Sequence, residues 1–212
     1  MTRVRRSPRL PLDALAPYLL QAPDPPNFLD WVAVFGNANP VEVEVGCGKG
    51  LFLLTCALTQ PGTNYLGIEI ERKYQLFTAT RIAKRGLSNV RLVRADARLF
   101  LRDCVPSGSL RAVHVYFPDP WWKRKHHKRR VFTPSFAAEC ARVLKLGGLL
   151  RVATDVEDYF ELINEMLKEQ PEFLEHPWRE PVNDPTNVSF TNFERKARLQ
   201  GKAVFRAVYE RR

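Results

Sequence analysis

The chain has 212 residues, 45% of them hydrophobic, so it can bury one sizeable core and is not a disordered chain. Its net charge of +10 is typical of proteins that meet a polyanion, either nucleic acid or an anionic membrane face, although excess charge can also serve solubility alone. The cysteines lack the C-x-x-C spacing of a redox pair or a zinc knuckle. No apolar run approaches the roughly 18 residues of a membrane span. We therefore expect a cytoplasmic protein.

The start of the chain differs in composition from the rest. We assign residues 1–27 to a basic N-terminal extension, with a flexible arm at 1–11, and residues 28–212 to a single domain. A helix over 28–35, stopped by Gly36, opens the domain. Strands and helices then alternate. The predicted strands are 41–45, 64–70, 89–97, 110–117, 149–155 and 201–210, and the predicted helices are 51–60, 72–86, 133–148 and 156–170.

This alternation predicts an α/β fold with a doubly wound, mostly parallel sheet covered by helices on both faces. Ligands of such sheets bind at the carboxyl ends of the strands. Acidic residues fall at five of these ends, which is hard to obtain by chance: Glu44, Glu69, Asp96, Asp119 and Asp155.

A glycine-rich turn, "GCGKG", follows the first strand of the alternating region. Gly46, Gly48 and Gly50 allow a tight turn and a close approach by a ligand, although such a turn is by itself a weak signal. The dinucleotide fingerprint needs a glycine where Leu51 stands, and Glu44 would repel a pyrophosphate. A cationic ligand such as S-adenosylmethionine fits better. Glu69 can then accept both ribose hydroxyls, and Asp96 lies near the expected adenine.

The segment "YFPDPWW" presents an acid between two prolines. Pro118 and Pro120 are expected to hold Phe117 and Asp119 in extended conformations, so the carboxylate has little freedom. Preorganisation of this kind suits a catalytic or substrate-reading group. The alternative is that Asp119 caps a turn or pairs with Lys123.

A basic block, residues 123–130, follows the two tryptophans, and each phosphate that it neutralises would add affinity for a nucleic acid. A nuclear-import signal needs the same charges but no neighbouring aspartate. A metal site at His126 and His127 is disfavoured because acidic partners are missing. Trp121 and Trp122 can stack on a base, although burial of at least one of them is the more ordinary outcome.

Five segments carry a resemblance: "VEVGCGKG", "YLGIEI", "YFPDPWWKRKHHKRR", "ATDVEDY" and "TNFERKARLQGKAVFRAVY". In this order they resemble the bacterial tRNA (guanine-N7)-methyltransferases, from about Asp30 to Tyr209. The resemblance implies a class I methyltransferase fold, Rossmann-like, with a seven-stranded sheet and an antiparallel last strand. It implies S-adenosylmethionine as cofactor, no metal, and a variable-loop guanosine (tRNA position 46) as acceptor. The departures are Trp122 for proline, Val156 for tryptophan and Cys47 for a bulkier residue.

The resemblance also implies roles for individual residues. Asp119 matches the catalytic aspartate. The positions implied for the cofactor are Glu44, Gly46, Gly48, Glu69, Asp96 and Asp119, and those implied for the substrate are Lys123, Asp155, Thr191, Asn192, Phe193 and Glu194. The positions implied for contact with RNA are Lys125, His126, His127, Lys128, Arg129 and Arg130.

The chemistry of the acceptor bears on the role of Asp119. Guanine N7 carries a free lone pair, so no base is needed to create the nucleophile, and orientation should dominate. We expect Asp119 to orient the base and stabilise its developing positive charge, while a role as base stays open. The rivals are another methyltransferase, an RNA-binding subunit without catalysis, and a nucleotide-dependent oxidoreductase. The partner expected is tRNA, with no membrane and no obligate protein partner.

Overall fold

The structure, a computed structural model, describes residues 10–121, 124–177 and 191–212. Within these residues the strands form one eight-stranded sheet in the order β1-β4-β3-β2-β5-β6-β8-β7. The strands are β1 (Leu19–Leu20), β2 (Val41–Val45), β3 (Asn64–Glu69), β4 (Val90–Arg94), β5 (Leu110–Tyr116), β6 (Leu144–Thr154), β7 (Phe173–His176) and β8 (Phe205–Arg211).

Helices connect the strands. They are α1 (Leu12–Leu15), α2 (Trp31–Phe35), α3 (Leu51–Thr59), α4 (Arg72–Ala83), α5 (Ala97–Cys104), α6 (Pro134–Val143), α7 (Glu157–Lys168) and α8 (Asn192–Leu199). Short 3-10 helices span Ala16–Tyr18 and Arg124–Arg129. No described helix is long and apolar enough to cross a bilayer.

The direction of the strands positions the site. Every pairing among β1 to β6 is parallel, whereas β8 runs antiparallel to both β6 and β7. The predicted fold class, with its antiparallel last strand, is therefore confirmed. Because the carboxyl ends of parallel strands share one edge of the sheet, all five of the acids noted above lie along that edge. We call it the carboxyl edge.

The strand count is eight rather than the predicted seven. Two strands, β1 and β7, are not among the six segments assigned from the sequence. β1 lies inside the segment assigned as the extension and pairs in parallel with β4, Leu19 opposite Leu92. Leu15, just before it, is 1% exposed. Residues 12–20 thus pack on the edge of the sheet. A two-residue strand is too short for an alternation pattern to reveal it.

Several helices differ from the sequence-based assignments: α6 ends at Val143 rather than at 148, because residues 144–148 belong to β6, and α1 and α8 were not predicted. Helix α2 begins at Trp31 rather than at 28, because the side chain of Asp30 accepts the N–H of Val32 and caps the helix there. Helix α5 was not predicted, although its buried residues follow helical spacing: Ala97, Phe100, Leu101 and Cys104.

The core lies on both faces of the sheet, in two apolar clusters. Every residue of β2 is buried. Val41, Val43 and Val45 join one cluster, so Glu42 and Glu44 point to the opposite face. Two carboxylates in the central strand are costly to bury, and each therefore calls for a physical explanation. All four cysteines are buried and form no disulfide with one another.

Candidate active site

A cleft of about 380 Å³ opens at the carboxyl edge of the sheet. Its walls combine residues from the ends of β2, β3, β4 and β5 with one residue of α8. The predicted site residues that line it are Gly46, Gly48, Glu69, Asp96, Asp119, Arg129 and Phe193. Ligand-binding clefts of this kind occur where open α/β sheets bring polar groups together at the strand ends.

The glycine turn forms one wall and is tied to β3. Gly46 and Gly48 have φ angles of 73° and 52°, which glycine adopts without strain. The N–H of Gly48 donates to Oε2 of Glu69 at 2.8 Å, and the N–H of Glu71 donates to Oε1 at 2.9 Å. Each carboxylate oxygen keeps a lone pair for a further donor, so Glu69 remains able to accept two hydroxyls.

Glu44 lies beneath the turn in an environment that disfavours its charge. The residue is 4% exposed, and its Oε2 has no hydrogen-bond partner among the described residues. Burial raises the pKa of Glu44 well above its usual range, and the negative charge of Glu69 adds to this shift. An unpartnered buried carboxylate oxygen beside a second carboxylate suits a ligand that brings a positive charge.

Asp96 has two partners on its own chain. Its Oδ1 accepts the N–H of Arg98 and caps α5, and the guanidinium of Arg98 binds the same carboxylate, with Nη2 to Oδ2 at 2.7 Å. This hydrogen bonding to Arg98 lowers the pKa of Asp96. Asp96 is therefore an ionised group, held in one orientation on the cleft wall.

The F-P-D-P-W turn presents Asp119 at the cleft. The expectation of an extended conformation at Phe117 is wrong: Phe117 has φ 51°, and Trp121 has φ 43°. Such angles cost a non-glycine residue on the order of 1–3 kcal/mol and cluster at functional sites. The N–H of Phe117 donates to the carbonyl of Ala153 at 2.7 Å, which anchors the turn on β6. Asp119 is exposed to solvent.

Helix α8 closes one side of the cleft. The ring of Phe193 stacks on that of Phe117, with centroids 6.0 Å apart. Thr191 caps the helix by accepting the N–H of Glu194 at 3.1 Å. The carboxylate of Glu194 is buried and pairs with Arg206 of β8. Phe193 therefore faces the cleft, whereas Thr191 and Glu194 hold the helix that carries it.

The basic block divides into two kinds of residue. Arg129 is exposed, lines the cleft and lies over the ring of Trp121 at 5.0 Å. Arg130 is half-buried: its Nε donates to the carbonyl of Pro120 at 2.6 Å, and its guanidinium lies over the ring of Tyr159. Lys125 is exposed, and His126 meets Trp121 edge-on. Trp121 is half-buried at the cleft rather than in the core.

Some of the predicted positions lie apart from the cleft or outside the described residues. Asp155 follows β6 and forms an ion pair with Lys202 at 3.8 Å rather than lining the cleft. Lys123 and Trp122 lie outside the described residues, as do the side chains of Asn192, His127 and Lys128. Among the described residues, no group of histidine, cysteine or acidic side chains is arranged to hold a metal ion.

Comparisons with known proteins match this architecture. A family model described as "Putative methyltransferase" matches residues 38–207. The chain is 41% identical to the tRNA (guanine-N(7)-)-methyltransferase of Rhodopirellula baltica, over 97% of this chain and 78% of that protein. It is 43% identical to that of Geobacter metallireducens, over 70% of each chain. The chain belongs to the tRNA (guanine-N(7)-)-methyltransferase family.

Solved structures share the fold of this tRNA (guanine-N(7)-)-methyltransferase family member at low sequence identity. An antibiotic-related methyltransferase superposes with a TM-score of 0.59 at 18% identity, covering 88% of this chain and 97% of that one. The aminoglycoside resistance methyltransferase NpmB1 gives 0.55, also at 18% identity, covering 82% and 87%. The sheet order and the cleft at the carboxyl edge thus belong to a methyltransferase fold.

The residues of the cleft fit the methyl donor expected of a methyltransferase family member. Glu69 has accepting capacity left for hydroxyls. Glu44 does not line the cleft, but it is buried one residue before Val45, which does, and its unpartnered carboxylate oxygen would suit a cation. Three further polar residues of the cleft were missed in the sequence: Tyr74, Arg98 and Tyr116. Tyr116 lies in the predicted strand 110–117, so its position was available, and Arg98 is the second residue of the unpredicted α5.

Proposed function

We propose that this chain transfers a methyl group from S-adenosylmethionine to N7 of a variable-loop guanosine in tRNA, giving 7-methylguanosine. The observation that carries the proposal is the meeting, in one cleft, of Glu69 and Asp96 with Asp119, Phe193 and Arg129. The names of the relatives support the substrate.

The cofactor end of the cleft lies at β2 and β3. S-adenosylmethionine, when bound, supplies an activated methyl group on a positively charged sulfur. Glu44 is placed to accept hydrogen bonds from a cationic amino group, which would satisfy its Oε2. Glu69 is placed to accept ribose hydroxyls while the glycine turn holds its carboxylate. Asp96 and Arg98 form the wall beyond it.

Asp119 works at the acceptor end. Its carboxylate accepts hydrogen bonds from the N1–H and the 2-amino group of guanine, a donor pattern that adenine lacks. Because N7 needs no deprotonation, Asp119 acts by orienting the base and by stabilising the positive charge that the ring gains. The turn that holds Asp119 is fixed at both sides, by Phe117 on β6 and by Arg130 on Pro120.

The cleft rim supplies affinity for RNA. Arg129 lines the cleft, Lys125 is an exposed cation of the same basic block, and phosphates bound to them would release counterions. The half-buried ring of Trp121 contacts Arg129 and His126, which hold it in place at the cleft as a surface for a base.

The decisive test is methyl transfer from radiolabelled S-adenosylmethionine to unmodified tRNA, with cleavage at 7-methylguanosine to map the site. A transcript with the variable-loop guanosine changed to adenosine is the control. Label at that guanosine and none in the control supports the proposal. Label at another atom or in another macromolecule, with none in tRNA, refutes it.

The role of Asp119 has its own test. Asp119→Asn keeps the shape of the side chain and removes its charge, so kcat should fall by about 10²–10³ while tRNA and cofactor still bind. Asp158→Asn, an exposed acid of α7, is the matched control. Unchanged turnover in Asp119→Asn would remove the catalytic assignment.

A further inference from the structure

Helix α4 carries an outward stripe of cations and aromatic rings. At 100° per residue, one third of the helix circumference holds Lys73, Tyr74, Phe77, Arg81, Lys84 and Arg85, the last two just past the helix end. No acid lies on this stripe. Lys49 of the glycine turn adjoins it, because Arg81 donates to the carbonyl of Lys49. We call these seven residues the α4 stripe.

The charges of the α4 stripe are not neutralised within the described part of the chain. Some cations elsewhere pair with carboxylates, namely Arg98, Arg102, Arg111, Arg142, Lys168, Lys202 and Arg206. No cation of the α4 stripe forms an ion pair with a described carboxylate, and the stripe gathers five such cations on one surface. Burial lowers the pKa of Arg81, and the positive charge of Arg85 lowers it further. Like charges are thus held together without an acid, which favours an anionic partner.

Two aromatic rings interrupt the cations. Tyr74 is 38% exposed and Phe77 is 39% exposed. Rings presented to solvent between cations are the combination that single-stranded nucleic acid uses, with bases stacked on the rings and phosphates on the cations. A single exposed apolar side chain is ordinary, and what distinguishes Phe77 is its position among cations with no acid on the same face.

The position of the stripe relates it to the cleft. Tyr74 is at once a member of the α4 stripe and a lining residue of the cleft. The basic block with Arg129 and Lys125 follows β5, whereas α4 follows β3. β2 lies between these strands in the sheet. A polyanion that enters the cleft past the basic block therefore meets a second cationic surface on the other side.

We infer that the α4 stripe is a second RNA-binding surface, which holds a segment of the same tRNA whose guanosine enters the cleft. This inference rests on the proposed function. Lys73 and Lys84 bind two phosphates about 16 Å apart along the helix, and Phe77 stacks on an unpaired base between them.

The test compares two double variants of equal charge change. Lys73→Gln/Lys84→Gln removes two cations of the stripe. Lys145→Gln/Lys168→Gln removes two exposed cations, one at the start of β6 and one at the end of α7, which both lie at the sheet edge opposite the cleft. Binding of unmodified tRNA is measured across a series of salt concentrations, and thermal unfolding confirms that both variants fold.

The stripe variant should bind tRNA about tenfold more weakly at 0.1 M salt. The slope of log binding constant against log salt concentration should be smaller in magnitude by about 2. Its kcat at saturating tRNA should equal that of the wild type, and the control variant should match the wild type throughout. Phe77→Ser should weaken binding about fivefold without changing the slope.

Equal affinities and slopes in the stripe and control variants, in an enzyme that still methylates tRNA, would overturn the inference alone. The inference would also be overturned if the stripe variant differed from the wild type in molecular mass by light scattering but bound tRNA with the same affinity. The stripe would then bind a second copy of the chain. Failure of the wild type to bind or methylate tRNA would overturn the proposed function and the inference together.

Discussion

The ring of Phe193 stacks on the ring of Phe117, with centroids 6.0 Å and planes 19° apart. This contact joins α8, near the end of the chain, to the turn that presents Asp119. Phe117 holds a positive φ of 51° in that contact. Phe193 is 59% exposed, so the face that it turns away from Phe117 remains open. The pair therefore links the shape of the turn that carries Asp119 to a surface on which a base can stack.

Removing the ring of Phe193 should impair both the stacking of a base and the conformation of Phe117. In Phe193→Ala, the KM for tRNA should rise about tenfold because a stacking surface is lost. The kcat should also fall severalfold, because Phe117 loses the contact that holds its conformation. Steady-state kinetics with tRNA varied measure both values, and cofactor affinity should change little. Leu199→Ala, on the same helix at 82% exposure, should leave both values as in the wild type. A wild-type KM in Phe193→Ala would contradict the stacking role.

The acids along the carboxyl edge were open to prediction because they depend on topology alone. Once parallel strands are assigned, Glu44, Glu69 and Asp96 must share an edge, whatever their side chains touch. The partners of the acidic side chains, at this edge and elsewhere, were not open to prediction. Asp96 binds Arg98 at the start of a helix that was missed, and Glu194 pairs with Arg206 across two elements.

The backbone of the turn that carries Asp119 escaped prediction for a different reason. The rule that a residue before proline is extended describes a local preference. At Phe117 the hydrogen bond to Ala153 and the contact with Phe193 outweigh it. Which cations of the basic block face the cleft also depended on tertiary contacts, since Arg129 and Arg130 are adjacent and point to different partners.

Arg129 and Arg130 should therefore give different phenotypes. Arg129→Gln removes an exposed charge at the cleft, so tRNA binding should weaken a fewfold and the salt slope should fall by about 1. Arg130→Gln removes the hydrogen bond to the carbonyl of Pro120, next to Asp119. Its main effects should be a lower kcat and a lower Tm, with a salt slope close to that of the wild type. Binding, kinetics and thermal unfolding separate the two cases. Identical effects of both substitutions on the slope would show that the division is incorrect.

Glu44 should destabilise the cofactor-free protein. Its pKa is raised by burial and by the charge of Glu69, so the folded state holds a proton that the unfolded state releases once the pH exceeds the ordinary range of a glutamate. Stability is therefore lost as the pH rises through that window. Glu44→Gln removes this loss, and its Tm at pH 7 should exceed that of the wild type by a few degrees. Near pH 4 the two Tm values should converge.

The same substitution should weaken cofactor binding. A cationic amino group favours ionised Glu44, so the affinity of the wild type for S-adenosylmethionine should rise with pH above the usual glutamate range. In Glu44→Gln, affinity should be about tenfold lower at pH 7, and this component of the pH dependence should vanish. Equilibrium binding across pH, with both proteins titrated in parallel, cancels the titration of the ligand itself. Parallel pH profiles would exclude Glu44 as the group that meets the cation.

Glu42, the other carboxylate of β2, is satisfied by its own chain. Its Oε1 accepts Nε of Arg111 at 2.7 Å, and its Oε2 lies 2.9 Å from Nε2 of His114. Nδ1 of His114 lies 2.9 Å from the hydroxyl of Tyr116, a cleft residue. Burial alone would raise the pKa of Glu42, but His114 and Arg111 lower it to about 2.

Burial lowers the pKa of His114, so at pH 7 the ring is neutral, and Arg111 is the charged partner of Glu42. An ionised carboxylate only accepts hydrogen bonds, so Nε2 carries the proton, and Nδ1 accepts the hydroxyl of Tyr116.

Glu42→Gln should therefore destabilise the protein by about 2 kcal/mol at pH 7, less than for a fully buried pair because Arg111 is partly exposed. The depressed pKa contributes stability above pH 4.5, the ordinary glutamate value, which is lost as the pH falls towards 2. The difference in unfolding free energy between the wild type and Glu42→Gln should shrink across that window, as measured by urea unfolding at a series of pH values. Asp103→Asn, which breaks the exposed pair with Arg102, should leave stability unchanged. If the two substitutions had equal effects at pH 7, burial of the Glu42 network would not be what stabilises this part of the sheet.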